Sequence, residues 1–136
     1  MHILIVEDDP ITQMYLKAVL EAYGICDVVG DGAEAVRAYI GAAAKGNFVD
    51  VVFIDIMLPK MDGLTAIDRI REHEAHHPHS ISHPAQVVMV TALEGPQDII
   101  HAYCSGGAFA YLKKPLLREE VDATMQKIIN GYSVAL

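Results

Sequence analysis

Short apolar runs too continuous to alternate recur along this chain, and each is followed by a stretch with apolar residues at helical spacing. A strand buried on both faces of a parallel sheet reads this way, because helices cover both faces and leave no side for polar residues. Ile3-Leu4-Ile5-Val6 is the first such run. Asp9 and Pro10 then read as a helix N-cap and first helical residue, with Ile11, Met14, Tyr15, Ala18 and Val19 at helical spacing until Gly24. Asp27-Val28-Val29 is a weaker second strand, and Asp31 with Glu34 resembles a capping box for a helix through Ala35, Val36, Tyr39 and Ile40. Val51-Val52-Phe53-Ile54 is the third strand, followed by a helix from residue 64 to about 71. Gln86 to Val90 is the fourth, followed by a helix holding residues 99–103. Phe109 to Leu112 is the fifth, and Leu117, Val121, Met125, Ile128 and Ile129 form the last helical stripe.

Five strands alternating with five helices require right-handed crossovers and a parallel sheet covered on both faces. The expected fold is therefore α/β, a doubly wound five-stranded parallel sheet in one domain over residues 1–136. In such sheets functional groups gather beyond the carboxyl ends of the strands. Composition narrows the function classes. Eighteen acidic against ten basic residues give a net charge of -8, with no basic stripe for nucleic acid or anionic lipid. The apolar runs fall far short of the ~18 residues of a membrane span. Ile3 to Val6 breaks at once into Glu7, Asp8 and Asp9 and lacks a basic leader, so it does not read as a signal peptide. A cytoplasmic protein is expected. Cys26 and Cys104 are not closely spaced and read as packed thiols, with neither a disulfide framework nor a zinc site.

The residues just after each strand carry the chemistry. Glu7, Asp8 and Asp9 follow the first strand, Asp55 ends the third, Thr91 follows the fourth, and Lys113, Lys114 and Pro115 follow the fifth. Solvated strand ends explain polar residues in general, but Asp55 lies inside Val51 to Leu58, where an unpaired carboxylate costs several kcal/mol. If the first and third strands are neighbours, Asp8 and Asp55 lie about one strand spacing, ~5 Å, apart. Their repulsion at an effective dielectric of about 20 is on the order of 3 kcal/mol, which a divalent cation removes. Oxygen ligands without accompanying Cys or closely spaced His favour a hard ion such as Mg²⁺. A lysine and a hydroxyl beside that ion suit a phosphoryl group, with a carboxylate as its acceptor.

Four strings in this order resemble response-regulator receiver domains of two-component signalling, similar to the single-domain chemotaxis regulators. They are Ile3-Leu4-Ile5-Val6-Glu7-Asp8-Asp9, Phe53-Ile54-Asp55-Ile56-Met57-Leu58-Pro59-Lys60-Met61-Asp62-Gly63, Val90-Thr91-Ala92 and Tyr111-Leu112-Lys113-Lys114-Pro115. The resemblance implies a flavodoxin-like strand order, 2-1-3-4-5, and covers about residues 2–130. It implies that Asp55 is the phosphoacceptor, that Thr91 and Lys114 contact the phosphoryl group, and that Ala92 leaves room beside it. Tyr111 is then the aromatic that follows Thr91 in a switch. Mg²⁺ or Mn²⁺ would be held by Asp8, Asp55 and the Met57 backbone carbonyl, with Glu7 acting indirectly through water. The Lys114-Pro115 bond is usually cis in the family. The acidic register could instead be Asp8-Asp9, and Lys113 is a second candidate beside Lys114. The implied donor is a histidine kinase or phosphotransfer protein. The implied output is protein binding through the fourth and fifth helices with the fifth strand, by a monomer or a weak phosphorylation-dependent dimer.

Rival readings are weaker. Gly30-Asp31-Gly32-Ala33-Glu34-Ala35 matches a dinucleotide fingerprint superficially, but it follows the second strand and its acids would repel a pyrophosphate. A flavin site is disfavoured because the first strand leads into acids. A phosphatase would need a second carboxylate near Asp55, and Met57 stands two residues on. The connection from Glu72 to Ala85 holds His73, His76, His77, His79 and His83 and reads as a solvated loop, with transition-metal binding left open. Gly41 to Asn47 reads as a second connection. Tyr15 and Tyr39 read as packing residues.

Overall fold

The computed structural model describes residues 1–78, 83–92 and 107–131. Five strands, β1 (His2–Val6), β2 (Ile25–Val29), β3 (Val51–Asp55), β4 (Gln86–Thr91) and β5 (Ala110–Lys113), form one sheet in the order β2-β1-β3-β4-β5, with every pairing parallel. Four helices accompany them among the described residues: α1 (Pro10–Leu20), α2 (Gly32–Ala44), α3 (Gly63–His76) and α4 (Arg118–Ile129). The helix expected at residues 99–103 lies outside the described residues, as do Cys104, Leu93 and His79.

Strand parity sorts the core into two layers, as continuous apolar strands require. Leu4, Val6, Val52, Ile54, Val87 and Met89 face α2 and α3, where Ala35, Tyr39, Ile67 and Ile70 meet them. Ile3, Ile5, Val51, Phe53, Val88, Val90 and Leu112 face α1 and α4, where Leu16, Leu20, Val121 and Met125 close the opposite layer. Tyr39 is fully buried and Tyr15 partly so, both packed as expected. Cys26 is half-buried, and burial raises its thiol pKa, with Glu21 adding to the rise.

The helix starts follow their caps. Asp9 accepts from Thr12 N, with Pro10 at the first helical position. Asp31 accepts from Glu34 N, and Glu34 reaches back to Gly30 N, closing a capping box one residue wider than usual. The helix ends depart from the sequence reading. α2 continues to Ala44, because Ala42, Ala43 and Ala44 are strong helix formers and Gly41 only weakens a helix. α3 continues to His76, so His73 and His76 belong to a helix and not to a loop. The buried positions Ala66, Ile67 and Ile70 extend geometrically to Glu74, a polar residue that hides the stripe from an apolar pattern. Pro78, just past the His77 C-cap, ends the helix.

Two glycines bring the loops onto the sheet ends. A Cβ at Gly63 would collide with the Asp55 carbonyl oxygen, and one at Gly32 with the Met61 carbonyl oxygen. Only glycine lets α3 start against the end of β3 and α2 against the loop after it. That loop also holds Lys60 at a left-handed φ of 64°, with its ammonium 3.5 Å from Asp31 Oδ2. The Glu34 amide hydrogen bond, with Lys60 nearby, outweighs burial and holds the Asp31 carboxyl below the usual aspartate range.

Candidate functional site

The carboxyl ends of β1, β3, β4 and β5 bring most of the expected residues together. Glu7 directly follows β1, and β1 pairs with β3 so that Val6 opposes Ile54. Parity then sends Glu7 and Asp55 to the α1/α4 side of the sheet. Ligand oxygens of Glu7, Asp8 and Asp55 all lie within 4.8 Å of one another, with Glu7 and Asp55 buried and Asp8 exposed. Asp9 does not join them. Its Oδ2 is occupied by the Thr12 hydroxyl at 2.6 Å and the Thr12 amide at 3.2 Å, bonds that hold its carboxyl below the usual range. The convergent acidic pair is Glu7-Asp8.

Asp55 is held at both oxygens. Its Oδ1 accepts from Met57 N at 2.9 Å, and its Oδ2 from Lys114 Nζ at 2.7 Å. Lys114 also brings Nζ to 2.7 Å from Glu7 Oε1. That approach is an ion pair off the direction of a hydrogen bond, which leaves Glu7 Oε1 a buried oxygen without an aligned donor. Glu7 Oε2 accepts from Asp9 N. Burial raises the Glu7 pKa above the usual glutamate value, and the Asp55 charge adds to the rise against the pull of Lys114. For Lys114 the largest influence is burial, which disfavours its charge, yet the carboxylates of Asp55 and Glu7 together outweigh it and raise its pKa. Two buried carboxylates and an exposed third against one ammonium leave net negative charge and an unaligned oxygen. Those residues fit a hard divalent cation.

Thr91 ends β4 fully buried, and its carbonyl accepts from Lys114 N at 2.8 Å. This bond fixes the start of the β5 exit, where the Lys114-Pro115 peptide is cis. Ala92 is exposed on the same rim. Tyr111 opposes Met89 in the β4–β5 register and is half-buried against the α2/α3 layer. Met57 exposes 61% of its surface beside Asp55, while its amide serves the carboxylate.

The family model described as the response regulator receiver domain matches residues 3–126. The chain belongs to this family. As a receiver domain it is 33% identical, over 122 residues, to "Chemotaxis protein CheY" of Treponema pallidum, covering 88% of this chain and 76% of that protein. It is 31% identical to the protein of the same name from Bacillus subtilis, covering 95% of this chain and 98% of that one. It is also 35% identical to the transcriptional regulatory protein TcrA of Mycobacterium tuberculosis, but spans only 45% of that longer protein. Among solved structures, the CheX-CheY-BeF3-Mg²⁺ complex from Borrelia burgdorferi superposes with a TM-score of 0.80 at 30% identity, covering 95% of this chain and 89% of that one. The receiver domain of a sensor histidine kinase from Pseudomonas aeruginosa PAO1, with magnesium coordinated in its active-site cleft, gives 0.75 at 29% identity, covering 95% and 97%. Receiver domains are signalling switches and not conventional enzymes. Among the described residues no helix is long and apolar enough to cross a membrane.

Among the described buried polar residues of this receiver domain that sequence reasoning missed, Glu74 is the most connected through its side chain. Glu74, 8% exposed, accepts from the Tyr39 hydroxyl at 2.7 Å and from Ala85 N at 2.8 Å through Oε2, and pairs with Arg71 at 2.8 Å through Oε1. The signal was available: Glu74 falls at the next helical position after Ile70 on the buried stripe of α3.

Proposed function

We propose that residues 1–136 act as a single phosphoryl-accepting receiver domain with Asp55 as the acceptor. The observation that carries this is Asp55 itself: a carboxylate 5% exposed, held by Met57 N and Lys114 Nζ, with Glu7 and Asp8 within 4.8 Å. The donor is a histidine kinase or phosphotransfer protein. An Asp55 oxygen attacks phosphorus, forming a P–O bond as the bond to the donor imidazole nitrogen breaks, and the departing nitrogen keeps the electron pair. Asp8, Asp55 and the Met57 carbonyl are the residues for Mg²⁺ or Mn²⁺, with Glu7 acting through water. The ion, when bound, supplies charge neutralisation for the carboxylates and the phosphoryl oxygens.

Lys114 is already beside Asp55 Oδ2 and is the cation for one phosphoryl oxygen. Thr91 is the hydroxyl donor to another, and Ala92 leaves that approach open. The Thr91 hydroxyl reaching toward the phosphoryl group then draws Tyr111 inward. That movement reshapes the surface built by β5 and α4, where a downstream protein binds. No nucleic-acid contact is part of this output. A cytoplasmic location and a monomer, or a weak dimer formed on phosphorylation, go with the role.

The test is to incubate the protein with Mg²⁺ and acetyl phosphate, trap the acyl phosphate with borohydride and map it by mass spectrometry. Labelling at Asp55 alone is expected. Labelling that survives Asp55→Asn would overturn the assignment. A pulldown with phosphorylated protein against the Asp55→Asn control then identifies the target.

A further inference from the structure

The last turn of α3 and its C-cap residue bring two imidazoles together. His73 and His77 are one helical turn apart, with ring centroids 4.2 Å apart and planes tilted by 32°. Tyr39 of α2 sits edge-on to His73 at 6.1 Å and 87°. His77 Nδ1 lies 2.9 Å from the His73 carbonyl oxygen. A carbonyl oxygen can only accept, so Nδ1 carries the proton and the neutral ring keeps its lone pair on Nε2. Histidines that bind metal commonly donate their other N–H to a backbone carbonyl, which fixes ring orientation and tautomer. His77 already has this arrangement without a metal.

We infer that His73 and His77 form a two-imidazole chelate for a borderline divalent cation of the Zn²⁺ class. Residues four apart on a helix have Cβ atoms about 5–6 Å apart. Two Zn–N bonds of about 2.0–2.1 Å span that separation once the His73 ring rotates to share the ion with Nε2 of His77, whose ring the carbonyl bond holds. The pair opens on a cleft of about 240 Å³ between α2 and α3, whose apolar wall is Val36 and Ile40. Water enters there to complete the coordination. Glu72 lines the same cleft but is held by Arg69 at 3.5 Å. Among the described residues, only Glu7, Asp8 and Asp55 converge as a group of three, so His76 is not a third ligand in this arrangement. The two sites differ in kind. Imidazole nitrogens select a borderline ion, whereas the carboxylates beyond β1 and β3 select a hard one.

The experiment is a Zn²⁺ titration of the full chain by calorimetry with Mg²⁺ in saturating excess to occupy the carboxylates. One Zn²⁺ per chain is expected. His73→Gln and His77→Gln should each weaken binding by more than the roughly tenfold that losing only an outer partner of a metal ligand costs. His76→Gln, His83→Gln and Asp8→Asn should leave it unchanged. Thermal unfolding without Zn²⁺ checks that each variant folds, and Zn²⁺ should raise the melting temperature of the wild type but not of the His73→Gln, His77→Gln double variant. Undiminished affinity in that folded double variant, or loss that follows Asp8 or His83 instead, overturns the assignment.

Discussion

The Tyr39 hydroxyl and the Glu74 carboxylate meet at 2.7 Å inside the layer between the sheet and helices α2 and α3. The same carboxylate oxygen anchors the Ala85 amide just before β4, so one buried acid ties two helices to the start of a central strand. Removing it orphans two buried donors, the Tyr39 hydroxyl and Ala85 N, and takes one partner from Arg71. Glu74→Ala should cost about 2–6 kcal/mol in denaturant unfolding, the sum of two unsatisfied buried groups. Tyr39→Phe, which orphans one acceptor valence of an oxygen that keeps another donor, should cost about 1–2 kcal/mol. Equal costs for the two variants would refute this ranking.

Burial first, and then Glu74, raise the Tyr39 pKa far above its ordinary value of 10.0. The unfolded chain therefore releases this proton at a lower pH than the folded one, and stability must fall as pH rises past about 10. Lys114, Tyr23 and Cys26, also raised, lose their contributions in the same direction. Unfolding midpoints measured from pH 8 to 11 should decline for the wild type and decline less steeply for Tyr39→Phe, with the remainder left by Lys114, Tyr23 and Cys26. Parallel profiles would show that folding does not raise the Tyr39 pKa.

Neighbouring acids should separate by role. Asp9→Ala removes the α1 cap and should cost about 0.5–2 kcal/mol while leaving Mg²⁺ affinity intact. Asp8→Ala, at an exposed position outside any cap, should change stability little and abolish Mg²⁺ binding and phosphorylation together. Mg²⁺ titration by fluorescence or calorimetry, beside chemical denaturation, reads both. Phosphorylation at the wild-type rate in excess chelator would count against the metal.

Lys114→Met strips the cation from two buried carboxylates and should destabilise the metal-free protein by about 1–3 kcal/mol. Mg²⁺ should restore part of that loss, because it replaces the missing positive charge. Lys113→Met, at an exposed position on the opposite side of the strand, should cost less and show no Mg²⁺ rescue. Identical Mg²⁺ responses in the two variants would remove Lys114 from the site.

Hydrolysis of an aspartyl phosphate needs a water in line behind phosphorus, and Met57 stands exposed beside Asp55 without a group to orient one. Leu93, two residues after Thr91, lies outside the described residues and is likewise apolar in the sequence. The phosphorylated form should therefore decay slowly for this family. Dephosphorylation of a Met57→Asn, Leu93→Glu double variant should be faster than that of the wild type. No acceleration would mean that these side chains do not gate the water.

The sequence by itself determined the sheet, its order through family resemblance, and the residues at the strand ends. Continuous β-branched runs have one stable use, a strand covered on both faces, and a carboxylate ending such a run stands out because burial makes it costly. Caps at Asp9 and Asp31 were legible because their hydrogen bonds are local. What the tertiary structure decided are contacts between residues distant in sequence. Glu7 and Asp8 join Asp55, while Asp9 turns to Thr12, because β1 pairs with β3 and Asp9 is the N-cap of α1. Lys114, 59 residues from Asp55, reaches its carboxylate where the neighbouring Lys113 does not, because alternation along β5 assigns them opposite sides. α3 outran its apolar pattern because Glu74 is buried among partners from α2 and the β4 approach, which no local period reports. Periodicity encodes which face of an element is buried, but the partner that satisfies a buried charge is chosen only when the elements pack.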